Sequence, residues 1–324
     1  MSVWERRSRS RPGRAQVDQS AEGTTDASAD GLAGGSADVM VRRDRALADR
    51  DWTVLPPGSR AFSFSAPSGQ LAAFELGDAA GARIVLLPGA TGSKEDFVLL
   101  APLLAEAGYL VQSHDLAGQY QSNAAGPGGT VSWDYGLFVA DLIAFLEAGF
   151  TPAHVLGYSF AGIVAELALA ERPELFASLV LLGVPPQPGQ SFRRVRWIGP
   201  LSRVLPPRQI AGLVIWGVVS NLNRVPPGRL TLVRLRFGVT NRRSVDAIIG
   251  LMKRMPDLRA LLRRTPIPCL VAVGDRDVWP VELHREFARQ IGADVRVYRT
   301  GHSPCETTPN QLARDMLALY RAAG

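Results

Sequence analysis

One serine in a run of small and apolar residues is the first candidate for chemistry in this chain. Ser159 lies in Gly157-Tyr158-Ser159-Phe160-Ala161-Gly162, between an apolar run that predicts a strand and an apolar-periodic segment that predicts a helix. A sharp strand-to-helix turn holds its apex residue in a strained conformation, so the neighbours of that residue must be small. The pattern therefore predicts a nucleophile at Ser159. The alternative is a serine that only caps the helix.

A serine hydroxyl is a poor nucleophile until a base takes its proton, and the base must itself be oriented. Asp277 follows the predicted strand Cys269–Val273, and His302 follows the predicted strand Val295–Tyr298. All three residues follow strands, and their chain order, Ser-Asp-His, is that of one structural class of serine hydrolases. We therefore predict that they converge on one edge of a sheet.

Other residues compete for these roles. Asp275 is the rival of Asp277, which the spacing of the turn favours, and His302 could be an ordinary surface histidine. His114 is interpreted as a residue at a strand end rather than as a base, because it precedes Ser159 and lacks a matching context. Cys305, near His302, is interpreted as a small buried residue, because Ser159 already supplies a nucleophile.

The elements that must position these residues alternate along the chain. Two short segments, 61–65 and 71–76, predict a hairpin, and continuous apolar runs then alternate with helical patterns. Such runs indicate a parallel sheet that is covered on both faces. The predicted fold class is α/β: a mostly parallel, doubly wound sheet with an inserted helical lid.

The composition divides the chain into three parts. Residues 1–50 are rich in Arg, Ser, Gly, Ala and Asp, which predicts a disordered extension. Residues 51–184 and 263–324 carry the alternating pattern and form the predicted core. Between them, residues 185–262 break the alternation, which predicts a helical lid over the edge where open α/β sheets place their ligand sites.

Composition also excludes several classes of protein. No apolar stretch approaches the length of a membrane span, and no apolar region follows the basic first residues as in a secretory signal. Two cysteines and four histidines without ligand-like spacing predict neither a disulfide framework nor a metal centre, and no cofactor is expected. We expect a cytoplasmic protein. The net charge of +6 comes mainly from arginine, and we expect no nucleic-acid partner.

Over residues 55–324 the sequence resembles the α/β-hydrolase superfamily. The resemblance is carried by five motifs in order: Pro88-Gly89-Ala90, Asp115-Leu116-Ala117-Gly118, the segment 157–162 around Ser159, Gly274-Asp275-Arg276-Asp277 and Gly301-His302. It implies that Ser159 is the nucleophile, His302 the general base and then acid, and Asp277 the orienting carboxylate. It also implies an oxyanion hole formed by the N–H groups of Ala90 and Phe160.

The sequence departs from the superfamily pattern at three positions. Pro88 replaces a frequent histidine before the oxyanion residue, Gln119 replaces a histidine after Gly118, and Ala161 replaces the last glycine of the serine motif. None of these changes removes a group with a predicted catalytic role.

The predicted lid has a strong positive charge. Residues 185–262 carry fourteen arginines and lysines against two aspartates, a surplus larger than the net charge of the whole chain. The arginines could simply be solvated on amphipathic helices. The sharper hypothesis is an acyl pocket around Trp216, with arginines such as Arg234 and Arg236 attracting an anionic ester or a membrane surface. Trp216 and Trp279 are the candidate substrate-binding residues, although Trp279 beside Asp277 is also interpreted as packing near the pocket.

The function expected from the sequence is a serine hydrolase that acts through an acyl-enzyme on hydrophobic carboxylic esters. A serine nucleophile argues against haloalkane dehalogenase and epoxide hydrolase chemistry, which use a carboxylate in this fold. The alternatives are C–C bond hydrolysis, cofactor-free perhydrolysis or acyl transfer by the same residues, and a non-catalytic binding module on the same scaffold.

Overall fold

The structure, a computed structural model, describes residues 36–128, 132–189, 191–194, 209 and 225–322. Eight strands form one sheet in this part of the chain. They are Arg60–Ala66 (β1), Gly69–Leu76 (β2), Arg83–Leu87 (β3), Leu110–His114 (β4), Ala153–Tyr158 (β5), Phe176–Leu182 (β6), Cys269–Gly274 (β7) and Asp294–Tyr298 (β8).

The sheet is mostly parallel. Its strand order is β1-β2-β4-β3-β5-β6-β7-β8; β2 pairs antiparallel with β1 and β4, and every other pair is parallel. The carboxyl ends of β3 to β8 therefore lie at the same edge. In β3 and β5 every residue is buried, as expected for strands covered on both faces. The predicted fold class is confirmed.

Helices cover both faces of the sheet. Within the described residues they are Ala37–Arg45 (α1), Leu100–Glu106 (α2), Tyr135–Glu147 (α3), Phe160–Glu171 (α4), Pro227–Val239 (α5), Arg242–Met252 (α6), Arg259–Leu262 (α7), Val281–Ile291 (α8), Pro304–Thr307 (α9) and Pro309–Ala322 (α10). One core packs α3, α4 and α8 against the sheet, and a second core packs α1, α2 and α10 against its other face. None of these helices has the length and apolar character needed to cross a bilayer.

The N-terminal segment differs from the prediction that residues 1–50 are disordered. Residues 37–45 form α1, in which the side chain of Met40 is fully buried. The carboxylate of Asp44 accepts hydrogen bonds from the backbone N–H groups of Asn310 and Gln311, at 2.8 and 3.2 Å, and so caps α10. The polar composition conceals this contact, because one methionine and one carboxylate are enough to make it. Residues 1–35 lie outside the described part of the chain.

The predicted lid is described only in part. Residues 195–208 and 210–224, which include Trp216, lie outside the described residues. Helix-like patterns in the sequence predict lid helices near 230–237 and 244–262, and the first corresponds to α5. The predicted helix at 244–262 is divided into α6 and α7, because Pro256 between them cannot continue a helix.

Candidate active site

Ser159 lies at the turn between β5 and α4. Its backbone has φ 53° and ψ −117°, a strained conformation for a residue other than glycine, and its N–H donates to the carbonyl of Leu182 at 2.8 Å. A Cβ atom on Gly157 would lie 2.5 Å from Cα of Gly162, and one on Gly162 would lie 2.1 Å from Cγ2 of Val184. Both glycines are therefore required for the close packing of the turn.

The structure brings Ser159, His302 and Asp277 into one hydrogen-bonded chain. Oγ of Ser159 lies 3.2 Å from Nε2 of His302, and Nδ1 of His302 lies 3.1 and 3.0 Å from the two carboxylate oxygens of Asp277. A carboxylate can only accept, so Nδ1 carries the proton and Nε2 is left to accept from the serine hydroxyl. The Asp277 side chain is fully buried, whereas that of His302 is 27% exposed.

The electrostatic surroundings of His302 favour its protonated form. Burial alone lowers its pKa, but the charge and hydrogen bond of Asp277 and the charge of Glu306 outweigh burial and raise the pKa above its usual value. The other three histidines, His114, His154 and His284, are buried without such a partner, and burial lowers the pKa of each to about 4. His302 is thus the histidine of this chain with a carboxylate placed to stabilise an imidazolium.

The two predicted oxyanion donors lie beside the serine. Phe160 is the first residue of α4, and a Cβ atom on Gly89, next to Ala90, would lie 3.1 Å from Cβ of Ser159. Within the described residues, neither the Phe160 nor the Ala90 N–H donates to a protein acceptor. At a helix N-terminus such free N–H groups, together with the helix dipole, favour negative charge.

The competing residues lie elsewhere or are inert. Asp275 is exposed and pairs with Arg276 at 3.5 Å rather than with the histidine. The ring of His114 packs on Phe145, with the ring centroids 4.6 Å apart. Cys305 is fully buried, and burial raises the pKa of its thiol well above the usual value.

Trp279 packs against the site. Only 4% of its surface is exposed, and its ring meets that of His302 edge-on with 5.8 Å between the centroids. Its indole N–H donates to the carbonyl of Ser191 at 2.6 Å. Trp279 therefore supports the imidazole and fixes the segment that follows β6, which agrees with the packing interpretation.

The sequence motifs do not predict the contacts that two further residues make with the site. Gly183, just after β6, has φ 54° and lies against His302 and Asp277. The hydroxyl of Tyr158 lies 2.8 Å from Oγ of Ser303 and so links the residue before Ser159 to the residue after His302. The Pro-Gly-Ala and Gly-His motifs locate the loops but do not reveal these contacts.

Two helices of the predicted lid, α5 and α6, contact loops at the carboxyl edge of the sheet. On α6, Oγ of Ser244 donates to the carbonyl of Ala117, in the loop after β4, at 3.0 Å. On α5, Arg236 pairs with Asp96 at 2.8 Å, in the turn after β3, and is buried. Of the two arginines proposed to attract an anion, Arg236 therefore already has a carboxylate partner. Arg234 is exposed.

A sequence profile of the alpha/beta hydrolase family matches residues 84–315, which is more than half of the chain. The protein belongs to this family. The matched region contains all three residues of the hydrogen-bonded chain, and family membership makes this protein a hydrolase. No protein of curated function is significantly similar to it in sequence.

Solved structures with the same fold include several hydrolases. A carboxylesterase of the thaumarchaeon Nitrososphaera gargenis is 18% identical, with a TM-score of 0.66 over 81% of this hydrolase and 98% of that chain. A putative lipase of Acinetobacter baumannii is 19% identical, with a TM-score of 0.66 over 89% and 96%. A meta-cleavage product hydrolase of Pseudomonas fluorescens is 16% identical, with a TM-score of 0.64 over 81% and 98%. At these identities the similarity concerns the fold.

Proposed function

We propose that this hydrolase cleaves carboxylic esters with a hydrophobic acyl or alcohol part, through an acyl-enzyme on Ser159. The observation that carries the proposal is the continuous hydrogen-bonded path from Oγ of Ser159 through His302 to the buried carboxylate of Asp277. Each member has the partner that its role requires: the serine a base, and the base an orienting carboxylate.

In the first half of the reaction, Oγ of Ser159 attacks the ester carbonyl carbon while its proton moves to Nε2 of His302. The carbonyl oxygen becomes negative, and the N–H groups of Ala90 and Phe160 stabilise it. The imidazolium, stabilised by Asp277, then gives its proton to the departing alcohol as the C–O bond breaks. The acyl group remains as an ester of Ser159.

In the second half, water replaces the alcohol. Nε2 of His302 takes a proton from the water as its oxygen attacks the acyl carbon, and the tetrahedral intermediate is held by the same two N–H groups. The proton returns to Oγ of Ser159 as the acid is released. No step requires a group beyond these side chains, these N–H groups and water.

Two observations support the preference for hydrophobic esters. The fold neighbours include proteins described as carboxylesterases and as a lipase. Two aromatic rings also lie beside His302, those of Trp279 and Tyr158, with centroids 5.8 and 5.3 Å from that of the imidazole. Trp216 stays a candidate substrate contact, and contact of the basic lid with a membrane surface stays a prediction.

The test is labelling with a fluorophosphonate, which reacts with activated serines. We expect the wild-type protein to be labelled and Ser159→Ala and His302→Ala to remain unlabelled. Ser63→Ala, at an exposed serine of β1, is the matched control and should label normally. A series of p-nitrophenyl esters of increasing acyl length would then show the size of the pocket. A folded wild-type protein that is not labelled would favour the binding-module alternative.

A further inference from the structure

One arginine of the predicted lid, Arg229, binds both the loop that carries Ala90 and the loop that carries His302. Arg229 lies on α5, and its Nη2 donates to Asp96 at 2.8 Å. Its Nε donates to Glu306 at 3.0 Å, and its Nη2 also contacts the second oxygen of that carboxylate. Asp96 follows the turn that presents Ala90, and Glu306 lies four residues after His302. A single guanidinium thus holds both loops.

Asp96 is hydrogen-bonded to the turn at 89–93, which carries Ala90, one of the two predicted oxyanion donors. The second carboxylate oxygen of Asp96, Oδ2, accepts from the N–H of Ser93 at 3.3 Å, and a Cβ atom on Gly92 would lie 2.5 Å from the same oxygen. The N–H of Gly92 in turn donates to the carbonyl of Gly89 at 2.9 Å, which closes the turn around Ala90. The position of the Asp96 carboxylate therefore constrains the direction of the Ala90 N–H.

Glu306 is hydrogen-bonded to the loop that carries His302. The backbone N–H of Glu306 donates to the carbonyl of Ser303 at 3.1 Å, in the turn that follows His302. The side chain of Ser303 is itself fixed by Tyr158. The position of Glu306 therefore constrains where the imidazole stands above Ser159.

Burial makes this arrangement rigid. Arg229 is 6% exposed, and its guanidinium carbon lies 5.3 Å from the centroid of the Trp52 ring, which covers it. Asp96 and Glu306 are also buried. Buried charges must stay paired, because an unpaired charge has lost its hydration without compensation. The two loops therefore cannot move independently of α5 unless an ion pair is broken.

We propose that Arg229 is a positioning residue for hydrolysis: through Asp96 and Glu306 it fixes the turn of Ala90 and the loop of His302 relative to Ser159. This inference rests on the proposed function. Arg236 offers a comparison on the same helix, because it is also buried on α5 and also binds Asp96, but among the described residues it makes no hydrogen bond or close ion pair with Glu306.

The Glu306 arm can be measured without any substrate. Four groups face His302: Asp277 after β7, Glu306 on α9, His284 on α8 and Tyr158 of β5. Because burial lowers the pKa of the other three histidines to about 4, an NMR titration above pH 6 follows His302 alone.

Glu306→Gln removes a negative charge, so the pKa of His302 should fall. Asp96→Asn also removes a negative charge from Arg229 but should change the pKa of His302 much less, because Glu306 and not Asp96 is among the charges that raise it.

Kinetics on the full-length enzyme test positioning directly. Arg229→Met should lower kcat by about 100-fold with little change in KM, because a displacement of the reacting groups by about 1 Å costs that much in rate. Arg229→Lys keeps the charge but not the planar fork, and should restore about tenfold of that loss. Arg236→Met removes a contact with Asp96 and with Ser93 in the same turn but none with Glu306, so it should lower kcat by about tenfold or less, clearly less than Arg229→Met.

The outcomes separate the two proposals. Absence of ester hydrolysis and of labelling in the wild type would refute the proposed function, while the NMR titration would still report on the coupling of Glu306 to His302. If the wild type is active, equal kcat values for Arg229→Met and Arg236→Met would overturn the positioning role, as would equal His302 titrations for Glu306→Gln and Asp96→Asn. If Arg229→Met does not fold, the two isosteric amide variants decide the question.

Discussion

Gly183 lies directly against the imidazole of His302. A Cβ atom added to Gly183 would lie 3.1 Å from both Cε1 and Nδ1 of the ring and 3.3 Å from Oδ2 of Asp277. These distances are shorter than ordinary van der Waals contacts, and the backbone of Gly183 has φ 54°. The absence of a side chain at this position therefore leaves the space that the histidine and the aspartate occupy.

We expect Gly183→Ala to lower kcat/KM by about 10- to 100-fold, because the methyl group displaces His302 from Ser159. Gly292→Ala is the control: Gly292 ends α8 with φ 76°, and nothing lies within 4 Å of its added Cβ. Both variants should lose about 1 kcal/mol of stability from the left-handed backbone, and only the first should lose activity. Thermal unfolding and ester hydrolysis measured on both variants would check this; equal activity of the two would show that the contact is harmless.

The pH dependence of hydrolysis should report on the Asp277–His302 pair. The base must be neutral, so kcat/KM should rise as the pH increases through the pKa of His302, which Asp277 holds above the usual value of 6.5. Asp277→Asn should lower kcat by about 10⁴-fold, because the preferred tautomer is lost, and should move the acid limb to lower pH. Asp275→Asn, on the same turn but exposed and paired with Arg276, should change neither quantity. A pH profile that shifts in both variants would point to a general charge effect.

Glu166 should make the protein lose stability as the pH rises from about 4.5 to about 8. It is fully buried on α4, neither carboxylate oxygen has a hydrogen-bond partner among the described residues, and burial raises its pKa from 4.5 to about 8. Between these two pH values the folded state binds a proton that the unfolded state has lost. The free energy of unfolding therefore falls by about 1.4 kcal/mol for each pH unit in this window.

Glu166→Gln keeps the shape and removes the titration. We expect this variant to have nearly the wild-type free energy of unfolding at pH 4.5 and a higher one at pH 8. Glu171→Gln, at an exposed position of the same helix, should change little at either pH. Urea unfolding at both pH values measures the difference, and parallel pH profiles of wild type and Glu166→Gln would contradict the assignment.

The cap that α1 provides to α10 should contribute measurably to stability. Asp44→Ala removes the acceptor of four N–H groups of Asn310 and Gln311, two from the backbone and two from the side-chain amides. We expect a loss of about 2 kcal/mol in the free energy of unfolding. Asp38→Ala, at an exposed position of α1, should lose less than about 0.5 kcal/mol. Equal losses would mean that the charge of α1, rather than the cap, matters.

The sheet and the loops of the site were largely predictable from the sequence. Buried parallel strands are continuous apolar runs. The helical pattern of the sequence over 281–291 coincides with α8, because Pro280 precedes this helix and Gly292 ends it in a left-handed conformation. The motifs after the strands also located Ser159, Asp277 and His302, since residues that follow parallel strands meet at one edge. Their hydrogen-bonding distances then follow from the fold.

What the sequence could not predict depends on partners distant in the chain. The apolar pattern of Leu99, Leu100, Leu103 and Leu104 predicts a single helix over 95–107, but Lys94–Phe97 forms a 3₁₀ turn and α2 begins only at Leu100. The turn can bury its charged residues because they are paired: Lys94 pairs with Glu95 and Asp115. Asp96 pairs with Arg229 and Arg236. Helical periodicity contains no information about such pairs. For the same reason Arg229 was counted as one of fourteen basic lid residues, and its contacts with both loops were not foreseen.

The contact between α1 and α10 also has a consequence for synthesis. Asp44 and Asn310 are separated by 266 positions, so α1 leaves the ribosome long before its binding site exists. At about 5 to 20 residues per second, the interval is roughly 10 to 50 seconds. During that time Met40 stays in water, because α10 and much of the sheet face against which both helices pack have not yet been made. The first helix of the described chain is therefore among the last to reach its final place.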